Sequence, residues 1–197
     1  MRDPGIGRVL VASLHQGIAD ILPMRLGFYE NWLNAEGLRE GTIGLAPLYA
    51  VLSFLRQEEG DAYQKITTRA GEYAAEWTVQ SMPGIQRRFL KAMPIWLRSR
   101  LLLGLARRLV HDSYQGSQTV SRLRRRVANV DLRSSVFCSV REPVPHPLCG
   151  FYAAAFTRML SLFDLGARTE VIACRATGER TCLLKVALLD GRAADAA

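Results

Sequence analysis

Residues 147–189 read PLCGFYAAAFTRMLSLFDLGARTEVIACRATGERTCLLKVALL. Near the start of this stretch Leu148, Tyr152, Ala155, Met159 and Leu162 recur at steps of four, three, four and three. That is the spacing of one apolar helix face, so an amphipathic helix is predicted over 148–163, with Gly166 as its stop. Beyond Gly166 the period falls to two, which predicts strands over 167–175 and 181–189 closing around Gly178. Cys174 and Cys182 each lie four residues from Gly178. In a hairpin centred there they face one another, with Cβ atoms about 4.5–5.5 Å apart. Cys149 opens the preceding helix, so three thiols can converge on one soft cation, for which zinc is the natural candidate. Glu170, His146 or water would complete the tetrahedron. Cys138, on an earlier predicted strand, has a weaker claim. The alternative is that these thiols simply pack, since buried cysteine is common and C-x7-C is not a zinc-ribbon spacing.

Upstream, residues 119–130 alternate and read as one strand, and residues 134–140 as the next. Pro143, Pro145 and Pro147 then make a rigid connection to the helix. The N-terminal half has helical periodicity. Helices are expected over 8–22, 26–35 (with Gly37 as stop), 46–57 and 61–79, and over a basic stretch, 86–110, that Pro94 divides. The sum is an α+β fold in which N-terminal helices pack on a small antiparallel sheet, with a long helix between two β-hairpins. One domain is expected over 1–192, with its helical region over 1–112 and its sheet plus helix over 118–190, followed by a frayed tail at 193–197.

The chain has 197 residues, 49% of them hydrophobic, and a mean hydropathy of +0.03, which excludes a disordered chain. No apolar run is long enough to span a bilayer. The first residues lack the pattern of an export signal, and a cytoplasmic location with reduced thiols is expected. The formal net charge of +8 is concentrated: residues 1–85 carry net −3, residues 86–141 net +11 and residues 142–197 net 0. Residues 86–110 interleave seven Arg and Lys with Phe89, Trp96 and Leu101–Leu103. This composition suits either a core helix with a solvated charged face or an interfacial helix on the inner face of an anionic membrane, with Arg98, Arg100, Arg107 and Arg108 towards the lipid. Arg124, Arg125 and Arg126 raise nucleic-acid binding, which is disfavoured because no exposed aromatics flank them and no recognition motif is present. Signatures of common hydrolases, zincins and nucleotide-binding enzymes are absent, so a binding role is favoured over catalysis. Trp32, Tyr49, Phe54, Tyr73, Trp77, Phe151 and Tyr152 are core candidates that can also line an apolar ligand cavity.

The segments RSSVF (133–137), PLCGFYAAAF (147–156) and CRATGERTC (174–182), with ITTRAGEYAAEW (66–77) upstream, resemble the 4-vinyl reductase, or hydrocarbon-binding, domain family. The resemblance covers residues 133–188 best. It implies membership of a superfamily with TRAPP trafficking subunits and haem–nitric-oxide sensors, and a hydrophobic ligand held between helices and sheet. That ligand would be a tetrapyrrole of bacteriochlorophyll synthesis or another apolar molecule, held by a carrier or accessory factor to a biosynthetic enzyme. A vinyl reductase activity and a TRAPP-like interaction module, dimerising or docking on membranes, are the alternatives. The resemblance also places Cys149, Cys174 and Cys182 on three positions of a structural zinc site. The family's Glu ligand falls at Val171 here. Glu170 is one place off, on the opposite strand face, where a β-bulge would be needed to turn it inward.

Overall fold

The computed structural model describes residues 6–33, 45–114, 117 and 119–189. Seven helices lie among them: α1 (Arg8–Ile21), α2 (Leu26–Glu30), α3 (Leu45–Glu58), α4 (Asp61–Gln80), α5 (Gly84–Ala92), α6 (Ile95–Ser113) and α7 (Gly150–Ser161). The strands are β1 (Thr119–Arg124), β2 (Val127–Leu132), β3 (Ala167–Ala173) and β4 (Cys182–Leu188), in one antiparallel sheet of order β1-β2-β4-β3. This is the α+β class expected. The expected helix stop at Gly37, the end of the 26–35 helix and the tail at 193–197 lie outside the described residues.

α4 is the central helix. It buries Tyr63, Ile66, Thr67, Ala70, Gly71, Ala74, Ala75 and Val79 and packs between α1 and α7. The small side chains at its waist let both neighbours come close. A Cβ at Gly71 would meet the Phe151 carbonyl oxygen of α7 at 2.1 Å, so only glycine fits this crossing. α7 in turn covers one face of the sheet. That face presents Ala128, Val130 and Leu132 of β2 beside Val186, Leu184 and Cys182 of β4, their register partners. Period-two alternation thus places every second residue of both central strands under the helix.

Two sequence-based expectations fail in the first hairpin. The alternating run over 119–130 is two strands, joined at Arg125 and Arg126, whose φ angles are 46° and 67°. Two successive positive φ angles fit the twist of a tight hairpin, but the usual Asn-Gly signal is missing. Arg124, Arg125 and Arg126 therefore lie at a hairpin tip rather than along one strand. The strand expected over 134–140 is instead a 3-10 turn, Val136–Cys138, with all three residues buried. A strand with one solvated face alternates; this run does not, because it wraps the end of the sheet and drops Phe137 under the start of α7. Phe137 stacks on Phe151 at 4.9 Å and meets Tyr152 edge-on at 5.5 Å.

Candidate functional site

Four chain segments end at one corner of the sheet, and each delivers a cysteine. The 3-10 turn after β2 supplies Cys138. Cys149 is the residue that precedes the first turn of α7. Cys174 follows β3, and Cys182 is the first residue of β4. All four are buried, and their sulfurs lie within 4.8 Å of one another. Cys138 Sγ is 3.0 Å from Cys149 Sγ, 3.4 Å from Cys174 Sγ and 3.5 Å from Cys182 Sγ, and Cys149 Sγ is 3.7 Å from Cys174 Sγ. None of the four is in a disulfide. Sulfurs at about 2.3 Å around a tetrahedral zinc would stand about 3.8 Å apart, so a slight expansion of this cluster seats the ion.

The surroundings favour ionised sulfur at two positions. The Leu148 backbone N–H donates to Cys174 Sγ at 3.4 Å, and the Arg175 N–H donates to Cys182 Sγ at 3.3 Å. The hydrogen bonds these two share with Cys138 and Cys149, reinforced by the N–H groups, lower the proton affinity of Cys174 and Cys182. The proton is correspondingly retained on Cys149, pushed up by its hydrogen bonds to Cys138, Cys174 and Cys182. Four buried thiols this close together, two of them accepting backbone N–H groups, offer the soft tetrahedral donor set of a zinc ion.

Cys149, Cys174 and Cys182 therefore come together, and Cys138 joins them where a carboxylate was expected. Cys174 and Cys182 meet across a loop rather than a ladder: Cys182 pairs in register with Leu132, and a 3-10 turn, Arg175–Thr177, follows Cys174. Gly178, at φ 92°, closes that loop. β3 does carry a bulge, between Val171 and Ala173, but it falls after Glu170. Glu170 stays exposed, opposite Lys185 and 2.9 Å from Arg168. His146 is exposed at the rim of a neighbouring cavity. The sequence signal for Cys138 was its place in a consecutive apolar run, Val136-Phe137-Cys138, which suits a buried turn better than a half-exposed strand.

The predicted ligand-lining aromatics divide among three places. Phe151 and Tyr152 are fully buried in the packing between α7 and the sheet. Trp32 and Phe54 form an exposed aromatic pair at 6.1 Å. Tyr73 stacks on Trp77 at 5.4 Å and donates its hydroxyl to Asp20 at 2.7 Å, while Tyr49 is half-buried against the core. A different cavity, of about 490 Å³, opens beside the cysteine corner. Arg56, Gly60, Asp61, Tyr63 and Gln64, from the end of α3 and the start of α4, line one side, and Val144, Pro145, His146 and Leu148 the other. The Tyr63 hydroxyl is buried without a hydrogen-bond partner, and burial pushes its proton affinity up.

Among the described residues no helix is long and apolar enough to cross a membrane. No family model matches the chain. No curated protein matches it either. Solved structures do. An H-NOX protein from S. oneidensis in the Fe(II)NO ligation state aligns with a TM-score of 0.56 at 12% identity, over 94% of this chain and 100% of that one. An Fe(II) unliganded H-NOX protein from K. algicida aligns with a TM-score of 0.55 at 12% identity, over 94% and 97%. The phenol-responsive sensory domain of the transcription activator PoxR, with phenol, aligns with a TM-score of 0.50 at 12% identity, over 74% of each chain. At this identity the likeness is one of fold.

Proposed function

We propose that the chain is a small-molecule-binding module whose pocket is braced by a four-thiolate zinc centre. The observation that carries this reading is that one segment, residues 144–148, belongs to both features. It walls the 490 Å³ cavity. It is also tied to the cysteine corner, through the Val144 N–H to the Ala176 carbonyl at 2.7 Å, through the Leu148 N–H to Cys174 Sγ, and by covalent continuity with Cys149. Zinc would be held by Cys138, Cys149, Cys174 and Cys182. Bound there, it supplies charge compensation and a cross-link between four chain segments.

The cavity has apolar walls with Arg56, Asp61, Gln64 and His146 at its edge, a pattern that suits an apolar molecule carrying one polar group. The phenol-bound and iron-bound neighbours support a ligand-binding role and suggest the probes. A tetrapyrrole is the larger candidate, in keeping with the 4-vinyl reductase resemblance and with a carrier or accessory role to a biosynthetic enzyme. Phe137, Phe151 and Tyr152 pack on one another between α7 and the sheet, so the cavity walled by Tyr63 and Leu148 is the proposed ligand site.

Two measurements on the whole protein test the reading. Metal analysis with native mass spectrometry is expected to give one zinc per chain, and titration with phenol and with a free-base porphyrin is expected to give saturable binding of phenol. Arg56→Ala should weaken that binding about tenfold. Zinc-loaded protein that binds neither probe would remove the ligand role and leave the metal.

A further inference from the structure

The basic region found in the sequence has a geometry that the cysteine corner does not use. α5 is a nine-residue helix without one buried residue, bracketed by Pro83 and Pro94. Leu90 is its one apolar side chain packed against the core. The others face outward. Ile85 is 83% exposed and Phe89 65%, and at a spacing of four they share a helix face. Directly after Pro94, Ile95 is 54% exposed and Trp96 62%. The two helices are tied at this corner, where Arg98 donates to the Lys91 carbonyl at 2.9 Å. Large apolar side chains in this number and this degree of exposure call for a partner.

The charge around them identifies its class. No acidic residue occurs between Glu76 and Asp112. Arg87, Arg88 and Lys91 share α5 with the apolar face, and the Arg100 guanidinium lies 6.0 Å from the Trp96 ring. Behind α5 a cavity of about 720 Å³ is lined by Arg87, Arg88, Lys91 and Arg158 among apolar Ile85, Leu162 and Phe163, with Glu76 held by Arg158 at 2.7 Å and Lys91 paired with Asp164 at 3.1 Å, which leaves Arg87 and Arg88 as its excess charge. Apolar side chains projecting from a rim of arginine and lysine, above a cationic recess, match the layered chemistry of an anionic lipid surface: acyl chains for Ile85, Phe89 and Trp96, phosphate groups for the cations. A protein groove would supply the apolar contact but gives no reason for the excess of Arg87, Arg88, Lys91, Arg98 and Arg100 around it, an excess that remains after Lys91 is paired with Asp164.

We infer that α5 and the first turn of α6 form a docking surface for membranes containing anionic phospholipid. The test is vesicle flotation of the whole protein on phosphatidylcholine alone and on phosphatidylcholine with 30% phosphatidylglycerol, at low and high salt. Binding is expected only to the anionic vesicles and is expected to fall as salt rises. Replacing Arg87, Arg88 and Lys91 together by Gln should weaken it roughly a hundredfold, at about fivefold per basic residue. Phe89→Ser with Trp96→Ser should weaken it at least tenfold without altering the melting temperature, because neither side chain is in the core. Brominated acyl chains should quench Trp fluorescence in the parent protein and not in Trp96→Phe. Equal binding to neutral vesicles would overturn the electrostatic component, and no flotation would overturn the whole. A dimer in sedimentation that Phe89→Ser converts to monomer, with no vesicle binding, would assign the surface to a second copy of the chain instead.

Discussion

Cys138 is the residue on which the metal reading turns. It is 3.0–3.5 Å from all three other sulfurs, whereas Glu170 and His146 are exposed and outside the cluster. Cys138→Ser should therefore lower zinc content and melting temperature as much as Cys174→Ser does. Glu170→Gln and His146→Ala should leave both unchanged. Metal analysis of the four variants decides it, and full zinc occupancy in Cys138→Ser would return the fourth position to another ligand. A second residue-scale prediction concerns acid stability. Asp20 accepts hydrogen bonds from Tyr73 at 2.7 Å, Gln16 at 3.0 Å and Arg69 at 3.1 Å. These bonds, Tyr73 first, hold its carboxyl below the usual range. A depressed carboxylate contributes stability that is present above its unfolded value of about 3.9 and is lost as pH falls through the lower folded value. Asp20→Asn should thus narrow the stability difference between pH 5 and pH 2, as read by urea midpoints at each pH. An unchanged difference would show that the Asp20 contacts contribute nothing across that range.

At the scale of elements, the α4–α7 crossing is the tightest joint. Gly71→Ala places a methyl group 2.1 Å from a backbone carbonyl that cannot swing away. The helices must separate, at a cost of about 1–3 kcal/mol, despite the better helix propensity of alanine. Chemical denaturation should show the loss, and a gain would mean that α7 slides freely. The first hairpin offers the opposite case. Arg125 at φ 46° holds a left-handed backbone that asparagine adopts more readily, so Arg125→Asn should stabilise by up to about 1 kcal/mol. The same two elements show what the sequence could and could not reveal. α7 and the second hairpin were readable because their burial is one-sided, and one-sided burial leaves a period. The β1–β2 turn was not, since Arg-Arg carries no turn chemistry and the tertiary pairing of β2 with β4 imposes the conformation. Cys138 was misplaced for a related reason. Its turn is buried all round, and such a run has no period to distinguish a strand from a wrap. Three of the four thiols followed from spacing and resemblance, while the fourth required the fold.

On the scale of the whole molecule, the protein is a helical layer and a sheet layer joined chiefly through α7, with the thiol cluster clamping one corner. None of the four cysteines lies on α1, α3 or α4, whose buried side chains are mostly apolar. Removing zinc should therefore loosen one corner rather than unfold the chain. Four sulfurs with ionisation favoured at two of them would be left to repel within a buried space, and the Leu148 N–H bond that anchors residues 144–148 would weaken with them. Chelation is expected to lower the melting temperature by roughly 10–20 °C, the equivalent of several kcal/mol in a domain of this size. Amide exchange should accelerate over 133–150 and 174–182 while α1 and α4 keep their protection. Acid should act in the same direction, because protons compete with zinc for each thiolate. Since the same segment walls the cavity, phenol affinity should fall with the metal and return when zinc is restored. If chelation loosens the corner and leaves probe binding intact, the pocket is elsewhere and the cysteines brace the fold alone. If both fail together and recover together, the metal sets the shape of the site without touching its occupant.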